Sequence, residues 1–231
     1  MLQRSPSPTR SSMGTDGSDP WEEAYLRFET SEQETKKFLT RLRRLGADQW
    51  PRNAAIVELF CGRGNGMRAL SRLGFSKVEG IDRSPSLISN YRGPAPRCVG
   101  DCRHLPLRDR CKDILIVQGG LHHLESLPQD LELTLAEARR VLRPEGLFVA
   151  VEPWLTPFLA LVHRVCASHA ARRLSGRVDA LATMIEHERR SYEQWLGQPD
   201  AILGTLDRYF RTERRRIAWG KLMVRCKPRH V

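Results

Sequence analysis

Apolar residues recur in two different rhythms along the chain, and the change falls near residue 50. Over 21–45, Leu26, Phe38, Leu39, Leu42 and Leu45 recur among charged residues at helical spacing. That stretch predicts amphipathic helix, broken near Thr30-Ser31 and stopped by Gly46. Short apolar runs then take over. The expected strands are 55–60, 77–82, 97–99, 114–118 and 147–152, and the expected helices between them are 64–73, 84–91 and 129–142. Pro144-Glu145-Gly146 reads as a turn leading into the last of these strands. Near-continuous apolar strands between helices mean a parallel sheet covered on both faces. Residues 155–210 carry no strand signal and read as helices near 156–174, 178–196 and 199–209. The ending RTERRRIAWGKLMVRCKPR reads as two strands around Gly220. The expected class is therefore α/β: a doubly wound, mostly parallel seven-stranded sheet with an antiparallel edge strand and a helical insertion before the last two strands.

Composition divides the chain further. Residues 1–20 are rich in Ser, Pro and Gly and hold too little apolar surface to offset their ordering entropy, so a disordered tail is expected. The remaining expected parts are an N-terminal helical segment (21–50), a core (51–154), a helical lid (155–210) and a closing β-hairpin of the same domain (211–231). No apolar run approaches the ~18–20 residues of a membrane span, and the N-terminus lacks a secretory apolar core. A cytoplasmic location is expected. Six cysteines, at 61, 98, 102, 111, 166 and 226, form no CxxC pair and are expected as buried thiols. The spacings of Cys98, Cys102, His104 and Cys111 fit no common zinc pattern, so no metal is expected.

The formal charge of +11 is unevenly placed. Residues 205–231 hold nine Lys/Arg against two acids, whereas 21–50 balances with six of each. A basic end attracts RNA, DNA or an anionic substrate. A solvated strand face explains it more simply.

The candidate chemistry starts at VELFCGRGNG, residues 57–66. A buried parallel strand that ends in glycines and enters a helix makes a crevice at the carboxyl edge of the sheet. Gly62, Gly64 and Gly66 remove side chains there, so backbone can lie against a ligand. Alone the loop is ambiguous, since Gly64-x-Gly66-x-x-Ala69 also satisfies the dinucleotide fingerprint. Three acids narrow the choice. Asp82, ending the second strand 24 residues after Glu58, can accept from both hydroxyls of a ribose, although it can also serve the helix start at Ser84. Asp101, after the third strand, can accept from an exocyclic amine or simply shape a turn. Glu58, inside an apolar strand, needs a partner, and an ammonium group is one.

Ribose, adenine amine and a cationic amino-acid portion together describe S-adenosylmethionine. In order and spacing the chain resembles the class I S-adenosylmethionine-dependent methyltransferases, with a Rossmann-like fold, and within them the small-molecule type that includes the quinone-biosynthesis branch. VELFCGRGNG resembles the first motif, GID the second, GDCRHLPL the third, ILIVQGGLHHL the fourth strand and its loop, and EARRVLRPEGLFVAVEP the helix, turn and fifth strand. The resemblance covers residues 50–152 closely and the rest in topology. It implies S-adenosyl-L-methionine as cofactor. Glu58, Phe60, Cys61, Gly62, Gly64 and Gly66 would line its methionine and ribose, Asp82 and Arg83 the ribose, Asp101 and Cys102 the adenine, with Gln118 and Gly119 alongside. Phe60 departs from the family, standing where a first glycine is usual.

The expected reaction is in-line transfer of a methyl to a small-molecule acceptor, where the protein supplies alignment and exclusion of water. His122, His123 and Glu152 are the candidate bases, set against the plainer reading that His-His-Leu is a structural turn and Glu152 a cap. Trp154 and the helical His163, His169, His187, Tyr192 and Trp195 either shape the pocket or pack. A nucleic-acid acceptor is the alternative that the basic end raises. Against it, the fourth strand ends in QGGLHH and not in Asn/Asp-Pro-Pro-aromatic, and there is no Pro-Cys nucleophile motif. A nicotinamide-dependent reductase lacks its Tyr-x-x-x-Lys pair, and a non-catalytic binding protein has no need of the intact acids.

Overall fold

The structure is a computed structural model that describes residues 20–229. The disordered tail expected over 1–20 lies outside the described residues except for Pro20. Two helices come first, α1 (Pro20–Phe28) and α2 (Ser31–Arg44). The break between them is made by Thr30, whose side chain accepts from the Gln33 N–H while Gln33 returns a bond to the Thr30 backbone, a capping box. Gly46, at φ 96°, ends the second helix.

The core elements are β1 (Ala55–Leu59), α3 (Asn65–Arg72), β2 (Lys77–Asp82), α4 (Pro85–Asn90), β3 (Arg97–Val99), β4 (Lys112–Gln118), α5 (Gln129–Val141) and β5 (Leu142–Pro153). The insertion divides into five helices, α6 (Pro157–Cys166), α7 (His169–Leu174), α8 (Gly176–His187), α9 (Arg189–Gly197) and α10 (Pro199–Tyr209). Two of the expected long helices are therefore each split. Ser168 caps α7 through its hydroxyl and starts a new helix inside the expected 156–174, and Glu188 separates α8 from α9 inside the expected 178–196. The hairpin β6 (Phe210–Ala218) and β7 (Lys221–Pro228) closes the chain. It turns on Trp219 and Gly220, both at positive φ, as a two-residue hairpin turn requires.

The seven strands pair in the order β3-β2-β1-β4-β5-β7-β6. All pairings from β3 to β5 are parallel, and β7 is antiparallel to both β5 and β6. The reversed strand thus sits one in from the edge, and β6 forms the edge itself. Arg214, Arg215 and Arg216 are exposed on that edge strand, where charge discourages pairing with another sheet. The Pro144-Glu145-Gly146 turn is absorbed into β5 as a bulge. Lys112 pairs with Leu142 and Ile114 with Leu147, so three extra residues of β5 loop out while pairing continues on both sides.

Alternate residues of the central strands enter separate cores. Val57, Leu59, Leu115, Val117, Phe148 and Ala150 pack with α5 and the later helices. Ile56, Ile114, Ile116, Val149 and Val151 pack with α2 and α3. Burial on both faces is why these strands read as continuous apolar runs. Leu26, expected in the apolar stripe of α1, is about half exposed. The cysteines are all free, but only Cys61, Cys166 and Cys226 are buried, and Cys98 is exposed. No described helix is long and apolar enough to cross a membrane.

Candidate active site

The order of strands reverses between β1 and β4, the switch point at which an open α/β sheet forms its ligand crevice. A cleft of about 1190 Å³ lies there. Phe60, Cys61, Gly62, Asp82, Arg83, Asp101, Cys102, Gln118, Gly119, His122 and His123 all line it. Residues from four strand ends are thus brought together. Glu58, Gly64, Gly66 and Glu152 do not line it.

The turn after β1 runs through positive φ at Phe60 (54°), Gly62 (49°) and Gly64 (79°). Phe60 is unusual there for a residue with a side chain. Its ring packs so closely on Gly120 that a Cβ at that position would lie 2.2 Å from it. Asp82 holds the turn: its Oδ2 accepts the Gly62 N–H at 2.7 Å and its Oδ1 the Ser84 N–H at 2.8 Å. Each oxygen retains a further lone pair for a ligand. Gly64 and Gly66 act by packing. A Cβ on Gly64 would lie 2.2 Å from the Tyr91 ring, and one on Gly66 1.7 Å from Glu58 Oε1.

Glu58 passes beneath the start of α3. By strand alternation it shares a face with Gln118. Burial pushes its carboxyl up to about 8. Glu58 Oε2 and both amide atoms of Gln118 are buried without a hydrogen-bond partner. Asp101 is held by Arg103, with Nη2 to Oδ2 at 2.7 Å, and Arg103 also reaches Asp130 at 2.9 Å. The bonds from Arg103 keep the Asp101 carboxyl at about 2.

Glu152 is a buried post. Its Oε1 accepts the N–H groups of Gly120 (2.9 Å) and Leu121 (3.0 Å), and its Oε2 lies 2.8 Å from His122 Nδ1. Burial opposes its charge, but the bond and charge of His122 and the two N–H groups keep its carboxyl below the ordinary value. His123, about a third exposed at the cleft, lies 3.4 Å from Glu188 Oε2. Burial and the neighbouring His122 push the His123 pKa well down. Trp154 belongs to the core, edge-on to Trp195, whose Nε1–H donates to the Pro153 carbonyl.

Sequence reasoning missed a second group at the cleft, of which Tyr25, Glu34 and Asn65 line it. Tyr25 donates to Glu34 at 2.8 Å, Arg63 meets Glu34 at 3.2 Å, and Asn65 also donates to Glu34. These residues bind α1 and α2 to the glycine turn. Arg41 and Lys221 also line the cleft. Burial, and then the charge of Arg41, bring Lys221 down to about 8. On amphipathic helices such charges read as surface. The one available signal was Asn65, set between Gly64 and Gly66.

Residues 57–150 match the family described as methyltransferase domain. Residues 57–150 are thus a class I S-adenosylmethionine-dependent methyltransferase domain. Among its relatives, the demethylmenaquinone methyltransferase of Chlorobaculum parvum is 22% identical over 181 residues, covering 70% of this chain and 73% of that one. Its counterpart in Chlorobaculum tepidum is 26% identical over 139 residues, covering 52% and 56%. Among solved structures, the PH0226 protein from Pyrococcus horikoshii OT3 superposes with a TM-score of 0.68 at 21% identity, covering 92% of this chain and all of that one. An S-adenosylmethionine-dependent methyltransferase from Mesorhizobium loti gives 0.54 at 19% identity, covering 80% and 95%. These two likenesses are of fold. S-adenosylmethionine is the cofactor of the methyltransferase. The partnerless Gln118 amide oxygen at the cleft fits its ammonium, with Glu58 buried behind it on the same strand face, and the free lone pairs of Asp82 fit its ribose.

Proposed function

We propose that the methyltransferase holds S-adenosylmethionine against the carboxyl ends of β1, β2, β3 and β4 and passes its methyl in line to a small, largely apolar acceptor. Asp82 takes the ribose hydroxyls, Asp101 and Cys102 flank the adenine, and Glu58 with Gln118 answers the ammonium. When bound, the cofactor supplies a methyl on a cationic sulfur, already activated for displacement. The protein's part is alignment and exclusion of water. The roof is built from two distant pieces of chain, since α1 packs on α8.

The observation that carries this reading is the size and lining of the cleft. Its ~1190 Å³ exceeds the roughly 300–1,000 Å³ of a single-ligand pocket, which leaves room for an acceptor beside the cofactor. Phe158, Leu159, Val162, Leu181, Met184 and Ile185 line it too. An apolar body, such as that of the quinones for which the Chlorobaculum relatives are named, suits those side chains. With three hydrogen bonds already made, Glu152 positions the loop after β4 and does not act as a base.

The test is calorimetric titration with S-adenosylmethionine, followed by labelled-methyl transfer into fractionated cell extract. Label is expected in the organic-soluble small-molecule fraction. Label confined to RNA would replace this reading with the nucleic-acid one.

A further inference from the structure

We propose that the outer face of α6 and the tip of the β6–β7 hairpin dock the protein on an anionic membrane surface. Ten large apolar side chains stand exposed among the described residues, and seven of them fall in two short segments, 155–174 and 214–221. Leu155, Phe158, Leu161, Val165 and Leu174 come from the first, Ile217 and Trp219 from the second. The two segments meet. Phe158 stands edge-on to Trp219 with ring centroids 5.4 Å apart, and the Leu159 side chain lies against Gly220. Along α6, Phe158, Leu161 and Val165 recur at i, i+3 and i+7 and so share one face of the helix. Trp219 is 71% exposed at the end of the hairpin. Exposed leucines scattered singly are ordinary, whereas a grouped apolar face marks an interaction surface.

Charge decides what that surface meets. The whole chain has 27 acids, yet neither segment holds one. Arg172 is engaged by Asp179 and Glu186. Arg164, Arg173, Arg214, Arg215 and Arg216 are exposed. Apolar side chains set among arginines suit the boundary between lipid headgroups and acyl chains, where the first insert and the second meet lipid phosphates. Tryptophan favours that depth. The contact is peripheral, since α6 has ten residues and a span needs ~20. A second copy of the chain would bring like charge against like. A nucleic acid would satisfy the arginines, but Leu155, Leu161 and Val165 offer no ring on which a base could stack.

The face borders the cleft. Phe158 and Trp219 are exposed and also line it, so they form its rim, and Leu159 and Val162 continue the lining from α6. Docking therefore holds the rim at the lipid. Resting on the function proposed above, an apolar acceptor dissolved in the bilayer then reaches the cleft without crossing water.

The test is sedimentation of the full chain with vesicles of phosphatidylcholine mixed with phosphatidylglycerol, and with vesicles of phosphatidylcholine alone. Preferential binding to the mixed vesicles is expected, weakening as salt rises. Tryptophan emission should shift to the blue on binding, and Trp219→Phe should lose that shift. Leu161→Asp, and Arg215→Gln combined with Arg216→Gln, should each weaken binding by at least about tenfold, with circular dichroism unchanged. Failure to bind the mixed vesicles, or binding that survives both of these variants, would overturn the proposal. Capture of duplex RNA in place of the mixed vesicles would give the face to nucleic acid. S-adenosylmethionine titrated without vesicles reports separately: its failure to bind would sink the cofactor placement and leave the docking face standing.

Discussion

Arg63 Nη2 stands 3.2 Å from Glu34 Oε2, with both side chains about nine-tenths buried. The pair fastens the residue between Gly62 and Gly64 to α2, so the N-terminal helices are part of the cleft wall. Removing one member of a buried ion pair leaves the other charge without its partner.

Arg63→Met should therefore lower stability by about 3 kcal/mol, a fall in Tm on the order of 10 °C. Thermal unfolding checks this. In a double-mutant cycle with Glu34→Gln, the two losses should fall short of additive by about 1 kcal/mol or more. Strict additivity would mean that the pair is incidental.

Asp82→Ala should weaken S-adenosylmethionine binding by at least about 100-fold, the worth of two hydrogen bonds to a charged acceptor. The same carboxylate holds the Gly62 and Ser84 N–H groups, so Tm should drop as well. Asp82→Asn should be intermediate. Calorimetry showing native affinity in the alanine variant would place the ribose elsewhere.

Glu58 gives a pH signature. Its folded-state pKa, about 8, lies above the ordinary carboxyl value. The folded chain keeps this proton where the unfolded chain has lost it, so stability is greatest below the unfolded pKa and falls as pH rises towards 8. Urea unfolding across pH 5–8 should show that decline, and Glu58→Gln should flatten it. If the ammonium of the cofactor meets Glu58, binding at pH 7 should release a proton. Calorimetry in buffers of different ionisation enthalpy measures the release.

Gly64→Ala and Gly66→Ala should each destabilise by about 1–3 kcal/mol, for different reasons. The first forces a side chain onto a positive φ and into Tyr91, whereas the second displaces Glu58. Only the second should also change the pH dependence of unfolding.

Much of the sheet was legible because each central strand is apolar on both faces, a pattern with few alternatives. Asp82, Asp101 and Gln118 could be placed because strand ends are marked by a change from apolar to polar residues. The roof was less legible. Tyr25, Glu34 and Arg41 sit on helices whose charges look solvated until another element covers them. The split at Ser168 was missed because a serine inside a helical pattern signals a new start only once its hydroxyl is seen on the backbone. The approach of Glu188 to His123 depends on how α9 begins over the loop after β4, and residue spacing does not encode that.

Along β1, Glu58 takes its place by counting in twos, between Val57 and Leu59 on the opposite side. Deleting or inserting a single residue in this strand would invert the phase. The carboxylate would be driven in against Trp195 and Phe148, and a leucine would arrive under the glycine bend. Length in this short segment is thus a stricter requirement than the identity of most of its residues.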